Sequence, residues 1–592
     1  MHRIRHMFPY IRPHIFVFLT APLFVFAEVL AELIQPGLMA DLVNRGLVAG
    51  DGEFLVSTGV RMVSFAALGI VCGVVSMALS ARASNAFGAA LRLDVYKKIQ
   101  TFSFSDIENF RTGSLITRLA SDTMMLQQTV QSMLRIFIRA PMMFAGSILM
   151  ALHISHSFIV VLILLVPILV AITARVFRRA FPLFMRIQKS LDRLNTVIQE
   201  NLAGIRLIKS FAGEPRERDR FDAANRELYD VSLVSAHTVI LLIPLLMLTM
   251  NLGIVAVIGI GGLKVQAGDF SVGSIMACTN YLTHILHALM ITSFLFMSFS
   301  RSGASLARIS EVLETEPDVA FPPKSPRPRT GRPRSVVFEG VAFAYRTREP
   351  GPEHLVLKDI SFELRPGRTL GIIGGTGSGK STLLALIPRL YDVTRGRVLV
   401  DGADVRSLST EELRGGIGLV LQESILFSGT VAENIRWGKP DATDEEVRDA
   451  ARMAEADEFI QALPNRYDTP LEQRGVNLSG GQKQRLSLAR TLVGRPGLLM
   501  LDDATSSVDF RTEARIKRAL VALETTQIVV AQRVSSVAAA DEILVIERGT
   551  LAERGTHESL WRKGGIYRAI CDSQPGGEHC RNSGGQGVRD PL

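Results

Sequence analysis

Long apolar stretches and basic polar ones alternate through the first half of the chain, and short apolar runs follow in the second half. About six of the long stretches hold the roughly 20 residues that a membrane-spanning helix needs. They run near Ile11–Met39, Phe54–Leu79, Leu134–Leu152, Phe158–Val176, Val239–Leu263 and Val272–Phe299. A buried soluble core does not explain them, because soluble helices of that length carry a polar stripe that these largely lack. The third and fourth are joined by the short turn HISHS, His153–Ser157. Arg135 and Arg139 sit at the start of the third, which leaves its lower boundary open.

The connecting segments differ in charge. Arg3, Arg5 and Arg12 precede the first span, Arg82 to Arg118 follow the second, and a dense group from Arg178 to Arg220 follows the fourth. The alternate connections hold only Arg45, none in HISHS, and Lys264. Positive charge collects on the cytoplasmic side, so the N-terminus and both long loops are expected there. Glu28 and Glu32 interrupt the first apolar run where a cleavage site would otherwise fall, so it reads as a retained anchor and not a leader.

Beyond Pro317–Ser335, rich in proline and arginine and expected to be an extended solvated linker, the pattern changes. Short β-like runs such as TLGIIG, RVLVDG, LLMLD and TQIVVA are spaced by helix-like stretches, as an α/β nucleotide-binding domain requires. The division expected is a membrane domain over 1–315, a linker over 316–334, an ATPase domain over 335–574 and a disordered glycine-rich tail over 575–592. With 592 residues, 47% hydrophobic and 21% charged, the composition fits a membrane part joined to a soluble part. The net charge of +9 lies in the loops and linker, not interleaved with aromatics, which argues against a nucleic-acid partner. Four cysteines in such a chain make no disulfide framework.

Two motifs carry the chemistry. GGTGSGKS (Gly374, Gly375, Thr376, Gly377, Ser378, Gly379, Lys380, Ser381) lies between a strand and a helix opening at Thr382, the context of a phosphate-binding loop. Its glycines admit the phosphates close to backbone N–H groups, Lys380 is expected on the β- and γ-phosphates, and Ser381 on Mg²⁺. The run LLMLDD then delivers Asp502 to the same metal. ATP and Mg²⁺ are the expected cofactors.

NLSGGQKQR, Asn477–Arg485, resembles the signature of the ABC transporter family, and the resemblance extends over nearly the whole chain. Ser479, Gly480, Gly481 and Gln482 open a helix with bare N–H groups, a good anion site on physical grounds alone. The resemblance implies a six-helix membrane domain of the type IV exporter kind followed by an α/β P-loop ATPase domain. It implies that Tyr345 stacks on adenine, that Gln422 links the Mg²⁺ site to the membrane domain, and that Ser507–Asp509 crosses a dimer interface. FRTGSLITRLASDT (Phe110–Thr123) and Gln199–Phe221 resemble the cytoplasmic loops of fused exporters. In that family the signature faces the ATP of a second half-transporter, so the resemblance implies that the chain pairs, in a bacterial plasma membrane, with its ATPase domain in the cytoplasm. Outward direction rests on this resemblance alone.

Relatives that hydrolyse ATP efficiently carry glutamate after the metal aspartate and histidine after the next strand; this chain has Asp503 and Gln532. The carboxylate of Asp503 falls short by about one C–C bond, ~1.5 Å, and a misplacement of ~1 Å can cost on the order of 100-fold in rate. Gln532 donates a hydrogen bond but cannot carry an imidazole's proton. Two changes around one water suggest a site that binds ATP and hydrolyses poorly, as in heterodimeric multidrug exporters, with this chain's LSGGQ completing the partner's site. A slow homodimer and an ATP-gated regulatory subunit fit the same residues. In the spans, Glu28 and Glu32, and Asn280, His284 and His287, each share a helix face. Either they line the transport path and favour amphipathic or cationic substrates, or they make structural Glu–His or Glu–backbone bonds.

Overall fold

The computed structural model describes residues 7–154, 159–266, 270–323, 332–345 and 354–574, and for residues 159 and 293–301 the backbone alone. Part of the HISHS turn, much of the Pro/Arg-rich segment and the tail 575–592 lie outside the described residues. The chain divides into two compact units, 1–99 with 113–315, and 100–112 with 316–592.

The first unit is helical. Its long helices are α1 (Ile15–Asp41), α2 (Gly52–Gln100), α4 (Thr123–Ile154), α5 (Ile159–Ala203), α6 (Glu214–Ile240), α7 (Leu242–Gln266) and α8 (Val272–Glu314). Five helical runs among the described residues, Phe8–Val48, Gly52–Gln100, Thr112–Ile154, Val160–Ala203 and Glu214–Gln266, are long and apolar enough to cross a membrane. The sixth expected span lies in α8. Helix α4 runs unbroken past Arg135 and Arg139, so neither arginine marks a helix boundary. Val25, Val29, Leu33, Leu246 and Ile285 form part of a shared core. The buried Tyr281 of α8 donates a 2.8 Å hydrogen bond to the Leu33 carbonyl of α1, which satisfies its hydroxyl away from water. Proline-free α2 continues far beyond its apolar portion, and Val63, Ile70 and Val74 lie exposed along it.

The second unit holds the short helix α3 (Phe104–Phe110) and a two-sheet α/β fold. An antiparallel sheet runs β2-β1-β4-β5, with β1 Val336–Phe343, β2 Leu357–Leu364, β4 Arg395–Val400 and β5 Ala403–Asp404. The larger sheet runs β10-β9-β3-β8-β7-β6, from β3 Thr369–Ile373, β6 Ile417–Val420, β7 Leu498–Asp502, β8 Thr526–Val530, β9 Glu542–Glu547 and β10 Thr550–Gly555. Its inner strands pair in parallel and are almost wholly buried, which is why they read as continuous apolar runs.

The segment expected to be solvated linker is in part packed. Phe321 lies against the ATPase core, 4.9 Å from the Arg389 guanidinium and 4.8 Å from that of Arg414. Arg334 is buried, donating to Asp401 at 2.9 Å and to the Leu413 carbonyl at 2.7 Å. The physical reason is an aromatic and an arginine fork that bury usefully, set among prolines that do not. The loop helix α3, expected with the membrane domain, belongs to this unit: Glu108 accepts from the Tyr391 hydroxyl at 3.0 Å, and Asp106 from the Asp318 N–H at 3.2 Å.

Candidate functional site

Strands β3, β7 and β8 lie side by side in parallel and end together, with Val530 opposite both Asp502 and Ile372. The carboxyl ends of such strands form the natural ligand crevice of an α/β sheet. Three of the sequence-expected groups converge there: the loop 374–381, Asp502–Asp503, and Gln532.

The loop after β3 turns into α9 (Lys380–Leu386) through Gly379, whose φ of 103° is open to glycine and strained for other residues. A Cβ on Gly374 would meet the Ile546 carbonyl at 2.1 Å, so that glycine is required for a close backbone approach. Gly375, Thr376 and Gly377 are exposed, and Ser378 is buried. The Lys380 ammonium donates to the carbonyls of Gly374 at 3.0 Å and Gly375 at 2.8 Å, leaving one of its three N–H donors. Burial pushes its pKa down, against the opposing pull of Asp503 and Asp502. The Ser381 hydroxyl bonds the Asp502 carboxylate. Burial, with the Asp503 charge, nevertheless holds Asp502 above the usual carboxylate range. A hydroxyl and a desolvated carboxylate side by side at a helix N-terminus suit a hard cation with a phosphate, so the residues fit Mg²⁺ and nucleotide. Tyr345 lies at the rim, half exposed, its hydroxyl 2.8 Å from Thr382 Oγ1 and its ring edge-on to Phe343 and Tyr391.

Asp503 adopts a left-handed backbone, φ 49°, which aspartate tolerates better than most residues. Its N–H donates to the Val530 carbonyl at 2.9 Å, and its Oδ1 accepts the Gln532 backbone N–H at 3.2 Å. The short acid is thereby turned onto its own chain. Gln422, Asp503 and Gln532 line one cavity of about 390 Å³, with the buried Glu513 deeper in it. The loop bearing Gln532 is tied from the far end of the chain. Gln574 donates to the Gln532 carbonyl at 2.7 Å and accepts the Val534 N–H at 2.9 Å.

The LSGGQ residues stand apart from this crevice, at the exposed start of α10 (Gly480–Leu492). Ser479 caps the helix by accepting the Gln482 N–H at 3.3 Å, and Gln482 accepts the Ser479 N–H at 2.8 Å in return. Behind them, the buried Gln484 donates to Ser506 at 3.0 Å and accepts the Ser507 N–H at 2.9 Å. A Cβ on Gly481 would stand 2.7 Å from the Ser507 carbonyl. The signature and the loop at 507–509 are thus one rigid piece. Asp509 caps α11 (Phe510–Val521) through the Thr512 N–H at 3.0 Å, which lowers its pKa. Gln484 and Gln574 were not foreseen. A glutamine repeated after LSGGQ was the available signal for the first; nothing local marks the second.

In the membrane unit, among the described residues, Glu28 and Glu32 bond neither histidine nor backbone but Arg139. Its guanidinium pairs with Glu28 and, at 2.7 Å, with Glu32, and Arg135 stands 3.8 Å from Glu28. His284 is half-buried with its ring edge-on to Tyr281, while Asn280 bonds the Met276 carbonyl at 3.1 Å and, like His287, is exposed. With two arginines beside two glutamates the formal charge is zero, which removes the basis for a cationic preference.

Comparison with known proteins agrees with this geometry. Residues 18–289 match the family model described as the ABC transporter transmembrane region, and residues 357–506 the one described as ABC transporter. The ABC transporter ATP-binding protein YfiB of Bacillus subtilis (strain 168) is 39% identical over 569 residues, 96% of this chain and 98% of the relative. A fatty acid ABC transporter ATP-binding/permease protein of Mycobacterium tuberculosis (strain CDC 1551 / Oshkosh) is 36% identical over 480 residues, 81% of this chain and 75% of that protein. Among solved structures, a bacterial Atm1-family ABC exporter with ATP bound superposes with a TM-score of 0.78 at 27% identity, covering 96% of this chain and 99% of the other. The chain belongs to the ABC transporter family, as a half-transporter that fuses a helical, multi-pass membrane domain to an ABC ATPase domain.

Proposed function

We propose that this half-transporter works with a different half to export hydrophobic or amphipathic compounds, binding Mg–ATP at its own P-loop and hydrolysing it poorly. Lys380, Ser381 and Asp502 are the residues for phosphate and Mg²⁺, and a bound Mg²⁺ supplies charge neutralisation at the phosphate oxygens. Tyr345 packs the adenine. Gln422 closes the metal site from the cavity that it shares with Asp503. The exposed Ser479–Gln482 segment completes the hydrolytic site of the partner, which supplies glutamate and histidine where this chain has Asp503 and Gln532.

The observation that carries this reading is the position of Asp503. Its carboxylate is a methylene short and already accepts the Gln532 N–H, which supports a site where it does not hold the attacking water. The description of the mycobacterial relative as a fatty acid transporter supports an amphipathic cargo. The basic loops support an ATPase domain in the cytoplasm, and the bacterial relatives support a plasma membrane location. Purification of the chain alone, and with a half-transporter bearing the glutamate, tests the proposal. ATP turnover should be slow alone and rise with the partner, in a manner abolished by changing the partner's glutamate to glutamine. Brisk turnover by the lone chain that stops in Asp503→Asn marks a homodimer and refutes the asymmetric pair.

A further inference from the structure

A cavity of about 450 Å³ opens on the membrane unit beside Glu28, Glu32, Arg135 and Arg139, with α2 as its other wall. The ionic groups are not equally engaged. Glu28 is buried and taken by Arg139, with Ser76 Oγ at 3.4 Å. Arg139 spends its fork on both glutamates. Among the described residues, the Arg135 guanidinium has one ion-pair contact, at 3.8 Å, and donates no hydrogen bond. Among the described residues Glu32 accepts at Oε2 alone, and it lines the cavity. One group of each sign with hydrogen-bonding capacity to spare therefore lines a space whose formal charge is zero.

The apolar wall completes the description. Phe65, Ile70, Val74 and Met77 line it on α2, with Gly69 and Gly73 letting the helices approach: a Cβ on Gly73 would stand 3.3 Å from the Glu28 carboxyl. From Met77 to Phe65 the wall is about 18 Å long at 1.5 Å per residue, enough for an acyl chain. Glu28 lies thirteen residues, about 20 Å, before the Asp41 end of α1. It lies equally thirteen residues after Ile15, so the cavity sits at the middle of α1.

We infer that this cavity binds a zwitterionic phospholipid of the phosphatidylethanolamine type, phosphate on Arg135, ammonium on Glu32, and one acyl chain along α2. An anionic or a cationic headgroup would bring an uncompensated charge into a low-dielectric site, whereas a zwitterion engages both groups and adds none. The inference deepens the amphipathic-cargo part of the proposed function and does not depend on the ATPase asymmetry.

The full chain, reconstituted with its partner in equimolar phosphatidylethanolamine, phosphatidylglycerol and a cationic ethylphosphocholine lipid, reports the bound lipid by native mass spectrometry. The wild type should retain phosphatidylethanolamine about tenfold over either other lipid, as expected when a charged hydrogen bond is at stake. Arg135→Gln leaves the cavity negative and should shift retention to the cationic lipid; Glu32→Gln leaves it positive and should shift retention to phosphatidylglycerol. A structural role does not produce opposite shifts. Equal loss of all lipids in both variants, unchanged preference, or wild-type preference for a charged lipid overturns the inference. Should Arg135→Gln fail to fold, Glu32→Gln carries the test alone, with Arg135→Lys expected to keep the wild-type preference. Headgroup selection absent while partner-dependent turnover persists sinks this site only; the reverse pattern sinks the asymmetric exporter only.

Discussion

Lengthening the acid at position 503 is the sharpest perturbation of the ATPase site. In Asp503→Glu the carboxylate advances by about 1.5 Å, toward where an attacking water would lie. Recovering a displacement of ~1 Å is worth about 100-fold, or ~2.7 kcal/mol of barrier. Against this stands the hydrogen bond from the Gln532 N–H, which at 3.2 Å is long for an N–H···O contact and contributes roughly 1 kcal/mol. The difference, ~1.7 kcal/mol, corresponds to a rise of about 20-fold in turnover. Two copies of the full chain in one nanodisc, with the intact LSGGQ of each available to the other, suffice for the assay: phosphate release at saturating Mg–ATP, with Asp503→Asn as the floor. ATP affinity should stay constant, because Asp503 is not among the groups proposed to hold nucleotide. A wild type far above the Asn floor, with no gain in Asp503→Glu, refutes the claim that acid length limits the rate.

Gln484→Ala should destabilise the ATPase domain by about 1–3 kcal/mol, since Ser506 and the Ser507 N–H lose their partner; thermal denaturation of the full chain should fall by several degrees, with ATP affinity at the P-loop unchanged. Arg334→Ala strips a buried guanidinium from Asp401 and the Leu413 carbonyl, and should cost about 3–5 kcal/mol on the same melt, partly recovered by Arg334→Met with Asp401→Asn. Burial raises the pKa of Asp502, and Mg²⁺ requires the ionised form, so Mg²⁺-dependent ATP affinity should weaken on acidification earlier than an ordinary aspartate would allow. Ser381→Ala removes the hydrogen bond that opposes this shift and should move the loss to higher pH, as followed by a pH series of nucleotide titrations.

What the sequence made legible was local. A phosphate-binding loop, an apolar strand ending in Asp502 and a run of LSGGQ are each contiguous, and their chemistry follows from neighbours a few positions away. The spans were equally visible because twenty apolar residues in a row have few other uses. What escaped was long-range pairing. Arg139 looked like a boundary marker because its partners Glu28 and Glu32 lie more than a hundred positions earlier, on another helix. Phe321 was hidden by the prolines and arginines around it, although a lone large aromatic in such a stretch is itself a hint of docking. Gln574 reaches back over forty positions to brace Gln532, and no periodicity announces such a contact.

Helix α2 has 49 residues without a proline, a rod of about 73 Å at 1.5 Å per residue. A bilayer's hydrocarbon region takes up only ~30 Å of it, so some 40 Å stands clear at the end bearing Lys97 and Lys98. A pivot of five degrees where the rod leaves the lipid then sweeps its tip sideways by about 3–4 Å, roughly one Cα–Cα step. Small rearrangements within the bilayer are geometrically magnified far from it, with no further hinge required.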